Sequence, residues 1–196
     1  VGQVSPALEH ERRLRRFRVT VYDPAFKVPE WAQDAVYYFI FPERYRNGNP
    51  SNDPKVGARK YQSHNIEVHK SWLDRPYKPG TGDGSDPHYN NDFFGGDLEG
   101  IIQKLDDIKD LGANAIYMTP VFKAASNHKY DTADFHEIDP AFGTNADFTR
   151  LTQEAAKRGI RVIPDASLNH VGADSRYFDR FGNFKSQGLG AFANNR

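Results

Sequence analysis

A parallel α/β barrel is the fold class that this sequence predicts, and three observations carry it. Short apolar runs (AVYYFIF, AIYMT, IRVI) each end in polar sequence. Helically spaced apolar residues separate them, and a glycine closes each helix before the next run begins. The loops after the runs are long and polar, whereas those after the helices are tight turns. That asymmetry gathers function on one face, as at the C-terminal face of a (β/α)8 TIM barrel. A doubly wound sheet shares the alternation. A dinucleotide-binding version fails, because no Gly-x-Gly-x-x-Gly turn follows any run. A whole barrel takes roughly 250 residues, and the 196 here hold three strand units. The chain is therefore expected to be the first third to half of a barrel, its remaining strands on absent sequence or a second chain.

Residues 1–30 do not follow the barrel pattern. Phe17–Tyr22 (FRVTVY) alternates and predicts an antiparallel strand, the end of a preceding β domain, followed by a Pro-punctuated linker. The basic run Arg12–Arg18 suits an exposed strand or charged edge. The main domain is expected over residues 31–196. Ala35–Phe41 is a near-continuous apolar run, as expected of a strand covered on both faces. Glu43–Phe94 is rich in Asn, Asp, Gly and Pro, and such length without periodicity predicts a functional loop or inserted subdomain. Leu98, Ile101, Ile102, Leu105, Ile108 and Leu111 follow 3-4 spacing, predicting one helix over 97–111 stopped by Gly112. Ala115–Thr119 is the second strand. A polar loop holding Asn127, His128, Tyr130, Asp131, Asp134 and His136 follows. Thr144 and Asp147 form a capping box for a helix whose Phe148, Leu151 and Ala155 face inward. Gly159 ends it and GIRVIPDASLNHVG supplies the third strand, with Asp165, Asn169 and His170 in its polar exit. Beyond Gly172 the sequence predicts no element.

Composition narrows the function. With 26 basic and 26 acidic residues, no global field favours nucleic acid or an anionic membrane. No apolar run is long enough to span a bilayer. The absence of cysteine removes disulfides, thiolate catalysis and Cys-type zinc sites. The 14 Phe, 10 Tyr and 2 Trp sit in a chain of mean hydropathy −0.76. That mixture suits a sugar ligand, whose C–H faces stack on rings while its hydroxyls need polar partners, and it equally suits a Tyr-rich core. Asn47, Asn49, Asn52 and Asp53, with Asp97 after a Gly-Gly pair, offer the oxygen donors that a hard cation such as calcium needs. The same residues also read as plain turns.

Taken together, DAVYYFIFPERYRNGNPSND, FFGGDLEGIIQKLDDIKDLGANAIYMTPVF, SNHKYDTADFHEIDPAFGT and GIRVIPDASLNHVG resemble the α-amylase family of glycoside hydrolases. The likeness is strongest to its neopullulanase, cyclomaltodextrinase and cyclodextrin glucanotransferase-like members, and it covers Trp31 to Gly172. Residues before Trp31 resemble the end of an N-terminal β-sandwich. The resemblance implies a structural Ca2+ held by Asn47, Asn49, Asn52, Asp53, the Gly95 carbonyl and Asp97. Asp is common in relatives where Asn47 or Asn49 stands, which implies a weaker site. It implies that Tyr130, in the run His128-Lys129-Tyr130-Asp131, stacks on the sugar beside the cleaved bond, that His128 and Asp131 also bind substrate, and that Asp134 supports that loop. It implies further that Asp165 supports the catalytic centre, that His170 bonds a sugar hydroxyl, and that Asn169 orders the loop. Ser167 departs from the usual Val there, touching packing more than chemistry.

The family's nucleophile and acid/base lie on later strands. The chain alone is thus expected to be inactive, with no catalytic residue of its own. The intact protein is expected to hydrolyse α-1,4 and by extension α-1,6 bonds of starch, pullulan or cyclodextrins with retention. Transglycosylation, or a non-catalytic carbohydrate-binding role, are the alternatives. Expected partners are an α-glucan, the rest of the barrel and a second copy in a homodimer, and neither nucleic acid nor membrane. The cysteine-free composition and the calcium-type loop lean toward a secreted or periplasmic location.

Overall fold

The computed structural model describes residues 20–194 apart from 22, 79, 82, 83 and 85. The chain divides into two units, Val1–Asp34 and Ala35–Arg196. The first contains a turn in which Phe26 N donates to Asp23 O at 2.9 Å, and a short helix α1 (Glu30–Gln33) entered through Pro29. The expected strand over Phe17–Tyr22 and the basic run Arg12–Arg18 lie outside the described residues, Thr20 and Val21 excepted.

In the second unit the order is β1 (Tyr37–Ile40), β2 (Lys60–Tyr61), β3 (His64–Asn65), β4 (Glu67–Val68), β5 (Asp92–Phe93), α2 (Leu98–Ile102), α3 (Leu105–Asp110), β6 (Ala115–Met118), β7 (Phe122–Ala124), β8 (Thr132–Ile138), α4 (Asn145–Lys157), β9 (Arg161–Pro164) and α5 (Ala191–Asn194). Three of these strands build one parallel sheet in the order β1-β6-β9. Its register aligns Ile40, Met118 and Pro164 across the sheet. The ladder continues one step further, with Thr119 N donating to Ile40 O at 3.1 Å and Asp165 N to Met118 O at 2.8 Å. All three strands thus deliver their exits to the same end.

One face of the sheet packs on helices. Ile40, Ile116, Met118, Leu98, Ile101, Leu105, Ile108, Leu151 and Ala155 share one apolar core, with α2 against α4 and α4 against β9. In β1, Ile40 is buried in this core, while Tyr37 and Phe39 on the other face are more than half exposed in this chain. The capping box is present, with Thr144 accepting from Asp147 N and Asp147 from Thr144 N. Gly112 and Gly159 adopt φ of +82° and +75°, the left-handed conformation that ends a helix and favours glycine.

Two expectations need correction. The helix over 97–111 is broken into α2 and α3. Lys104 N bonds Ile101 O, three residues back, at 3.0 Å. The Gln103 side chain is drawn out to accept from Arg46 Nε at 3.0 Å and to donate to the Gly48 carbonyl at 3.3 Å. Leu111 consequently leaves the core and is exposed. The polar loop after β6 contains an antiparallel hairpin, β7–β8, whose register shifts twice. Those irregularities break the two-residue alternation by which such strands are recognised.

Candidate active site

At the exit end of the sheet, Asp165 and Tyr130 meet. The Tyr130 hydroxyl donates to Asp165 Oδ2 at 2.8 Å, and Ala166 N donates to Asp165 Oδ1 at 2.8 Å. The hydroxyl of Tyr117, on the central strand β6, neighbours the same carboxylate, which raises the pKa of that phenol. These bonds, Tyr130's first among them, hold the Asp165 carboxyl below the usual carboxylate range despite its partial burial. Burial and the adjacent Asp165 charge push the Tyr130 phenol up to about 12. At neutral pH the pair is therefore a carboxylate facing a neutral phenol. A carboxylate this well stabilised is a weak nucleophile and a weak proton donor. Its chemistry is that of a fixed charge which orients its neighbours.

The loop carrying Tyr130 is held from within. Tyr130 N donates to His128 Nδ1 at 3.1 Å, and the two rings lie 5.8 Å apart. Burial first, with Lys129 adding to it and Asp131 opposing, lowers the His128 pKa, so its Nδ1 is free to accept. Asp131 accepts from Ser126 N at 3.2 Å and from the Ser126 hydroxyl, bonds that brace the loop. Asp134 accepts from His136 N at 2.9 Å, Arg176 Nη1 at 2.9 Å and Tyr177 Oη at 3.3 Å. That ties β8 to the segment after Gly172. His170 is exposed, with Nδ1 2.9 Å from Asn169 Oδ1. The structure thus joins Tyr130, Asp165 and His128 in one cluster, adds Tyr117, and gives Asp131 to the loop's own framework. Tyr117 could have been found from sequence, since it alternates with Ile116 and Met118 and so faces away from the helices.

The oxygen-rich loop forms a second cluster. Glu43, buried just after β1, accepts from Phe94 N and from Gly95 N at 3.0 Å, and its other oxygen pairs with Arg44. This brings the two predicted segments side by side. A Cβ on Gly95 would lie 2.6 Å from Asn47 Nδ2 and 2.7 Å from Asp53 Oδ1, so only glycine lets the carbonyl region approach them. Asn47 Oδ1 and Asn52 Oδ1 are buried and accept no hydrogen bond among the described residues. Asp53 has its pKa raised, first by burial and also by Asp97, against a lowering bond from Asn47. Two buried acceptors without donors beside two repelling carboxylates are the surroundings that a hard cation would satisfy. Asn49 and Asp97 are otherwise engaged. Asn49 Oδ1 accepts from Ser51 N and Oγ. Asp97 accepts from Gly48 N, Asn49 N, Asn52 Nδ2 and Gly100 N, at 2.7 to 3.1 Å, which occupies its four lone-pair sites. Of the six expected ligands, Asn47, Asn52, Asp53 and Gly95 fit without rearrangement.

Comparison with known proteins bears on the family of the chain. The model of the α-amylase catalytic domain matches residues 39–191. The chain is 47% identical over 184 residues to an amylopullulanase of Thermoanaerobacterium thermosulfurigenes, covering 90% of this chain and 10% of that protein. It is 46% identical over 147 residues to a cyclomaltodextrinase of Geobacillus thermopakistaniensis, covering 75% of this chain and 21% of that one. Among solved structures, the cyclic α-maltosyl-(1→6)-maltose hydrolase of Arthrobacter globiformis in complex with that sugar superposes with a TM-score of 0.65 at 38% identity, over 87% of this chain and 32% of that one. The chain therefore spans a tenth to a third of the length of these proteins.

Proposed function

Because the chain belongs to the α-amylase family, whose fold is a TIM barrel, we propose that it supplies the first three β/α units of a barrel that hydrolyses α-glucans with retention. The observation that carries this is the Tyr130–Asp165 hydrogen bond of 2.8 Å at the common exit of three parallel strands. The ring of Tyr130 is the platform for a pyranose face. Asp165 holds that ring in place, and Tyr117 backs the carboxylate from the neighbouring strand. The exposed aromatic face of β1 and β6, where the Phe39 and Tyr117 rings lie 5.5 Å apart, is the wall of the barrel interior. Retention needs two carboxyl groups about 5–5.5 Å apart acting as nucleophile and acid/base. Neither role is assigned to a residue of this chain, since the Asp165 carboxylate is committed to Tyr130 Oη and Ala166 N. The substrates are α-1,4-linked glucans, with pullulan, its α-1,6 bonds and cyclodextrins brought in by the kinship to an amylopullulanase and a cyclomaltodextrinase.

The test is reducing-end release from starch, pullulan and β-cyclodextrin by the protein containing this chain, with product anomers followed by NMR. α-Anomers appearing first support the reading, and β-anomers refute it. In that protein Tyr130→Ala is expected to lower kcat/KM by about 100-fold, the scale of a misplaced reactant. Tyr130→Phe, which keeps the platform and loses only the bond to Asp165, is expected to cost less. Equal losses would show that the ring is not the working part.

Calcium belongs to the same proposal. Asn47, Asn52, Asp53 and the Gly95 carbonyl would hold it, and Asp97 would act as the scaffold beneath. Bound there, the ion would neutralise Asp53 and staple the loop after β1 to the segment entering α2. Chelation is expected to lower the melting temperature and added Ca2+ to restore it. Asp53→Asn should abolish that response while, by relieving a carboxylate repulsion, leaving the metal-free melting temperature close to that of the parent. A calcium response that survives Asp53→Asn would place the ion elsewhere.

A further inference from the structure

The geometry points to a second metal centre, for a borderline divalent ion such as Zn2+, on Glu67, His69 and Asp92. Glu67 opens β4 and His69 directly follows that strand, where its N still pairs with Phe93 O; two residues apart along an extended backbone, both side chains leave the same face. Asp92 of β5 lies directly opposite Glu67 in the parallel register. Backbone bonds on either side, Glu67 N to Asn91 O and His69 N to Phe93 O, each 2.8 Å, fix that pairing. The result is three donor atoms within 4.8 Å of one another.

The cluster is built rather than incidental. The side chains of His69 and Asp92 are 5% and 2% exposed, and His69 Nε2 lies 2.7 Å from Asp92 Oδ1. The imidazole is clamped flat against Phe94, with centroids 4.3 Å apart and an interplanar angle of 9°. Its other nitrogen faces Asp74 Oδ2 at 3.6 Å, just beyond hydrogen-bond distance, on the side from which a carboxylate orients a metal-bound imidazole once it closes in. Glu67 Oε2 is buried with no hydrogen-bond partner among the described residues. A buried carboxylate oxygen without a donor, beside a second carboxylate, is costly unless a cation completes it. One imidazole nitrogen and two carboxylate oxygens form a set suited to Zn2+, with a fourth position left for water. Glu67 and His69 line a groove together with Asp74, Arg75 and Gly84, which gives solvent a way to the cluster. An ion there would fasten the long insertion to the strand that leads into Phe94-Gly95-Gly96-Asp97, and so would steady the calcium loop from behind.

The experiment is titration of the metal-stripped chain with ZnCl2 by calorimetry, and with Co2+ followed by its visible absorption, both in the parent and in an Asp53→Asn background that silences the calcium loop. One Co2+ per chain, bound equally in both backgrounds, is expected. Glu67→Gln should weaken Zn2+ binding by about 10-fold or more, on the scale seen when a metal site loses a supporting group, and should leave the metal-free melting temperature undiminished because Glu67 Oε2 has no partner to lose. His69→Gln should abolish the Co2+ absorption. Unchanged affinity in Glu67→Gln, no binding by the parent up to millimolar Zn2+, or displacement of Co2+ by equimolar Ca2+ would each overturn the assignment.

Discussion

Asp139→Asn is expected to lower the unfolding free energy by about 3–5 kcal/mol, the cost of breaking a buried ion pair by removing one partner. Asp139 is fully buried just after β8. Its Oδ1 accepts from Arg59 Nη2 at 2.7 Å and Ala141 N at 2.9 Å, and its Oδ2 from Lys129 Nζ at 2.8 Å, Arg59 Nη1 at 3.0 Å and Ala124 N at 3.1 Å. Lys129 is itself fully buried, its ammonium 5.2 Å and 5.1 Å from the ring centroids of Phe93 and Phe142. Burial alone would raise the Asp139 pKa, but Lys129 and Arg59 hold it down to about 2. An amide at this position leaves the ammonium buried against a dipole. Lys129→Met should cost less, because Arg59 still pairs with Asp139. The double variant should be milder than the sum by about 0.5–3 kcal/mol, as for side chains in one network.

The same carboxylate sets an acid limb. Its folded pKa is depressed relative to an ordinary Asp near 3.9, so the unfolded state binds the extra proton. Its contribution is complete above about pH 4 and is lost as pH falls toward about 2. Urea unfolding of parent and Asp139→Asn at pH 7 and at acid pH measures both effects. The gap between them should narrow as pH falls, and a gap that widens would sink the account.

Lys129 shows why part of the molecule was not legible in its sequence. A lysine between a histidine and a tyrosine in a polar loop reads as solvated, and nothing local reveals that Asp139 will meet it in the interior. The same holds for Glu67, His69 and Asp92. Glu-x-His is unremarkable until a pairing with a residue 23 positions beyond His69 is known. What could be read was local: apolar runs for β1, β6 and β9, the Thr144–Asp147 box, the glycine stops, and the Asn/Asp/Gly loop beside Asp97. The β7–β8 hairpin was missed because its register shifts erase the alternation. The break in the helix was missed because it depends on Gln103 reaching Arg46 and Gly48, contacts across more than fifty residues. The place of Asp165 at a strand exit was legible, as was that of Tyr130 in a polar loop after β6, but their hydrogen bond belongs to the fold alone.

Gly96→Ala is expected to be among the most damaging single-methyl changes at the described glycines, costing more than about 4 kcal/mol, the range reserved for steric or buried-network failures. A Cβ there would stand 2.0 Å from Pro42 O and 2.6 Å from Glu43 O, both backbone atoms that no rotamer change can move. The backbones must separate, and with them go the bonds Gly96 N to Glu43 O at 3.1 Å and Asp97 N to Arg46 O at 3.0 Å. Those bonds hold Asn47, Asn52 and Asp53 beside Gly95, so the calcium-dependent stabilisation proposed for that loop should vanish together with the stability. Gly112→Ala is the control. A Cβ at Gly112 meets nothing within 4 Å, but its φ is +82°, so the cost there is conformational and should be about 1–2 kcal/mol. Urea midpoints of the two variants separate the effects. A Gly96→Ala protein as stable as Gly112→Ala, with its calcium response intact, would mean that the two loop segments are not locked together by close backbone approach. The cation, rather than the glycine, would then be what assembles the loop.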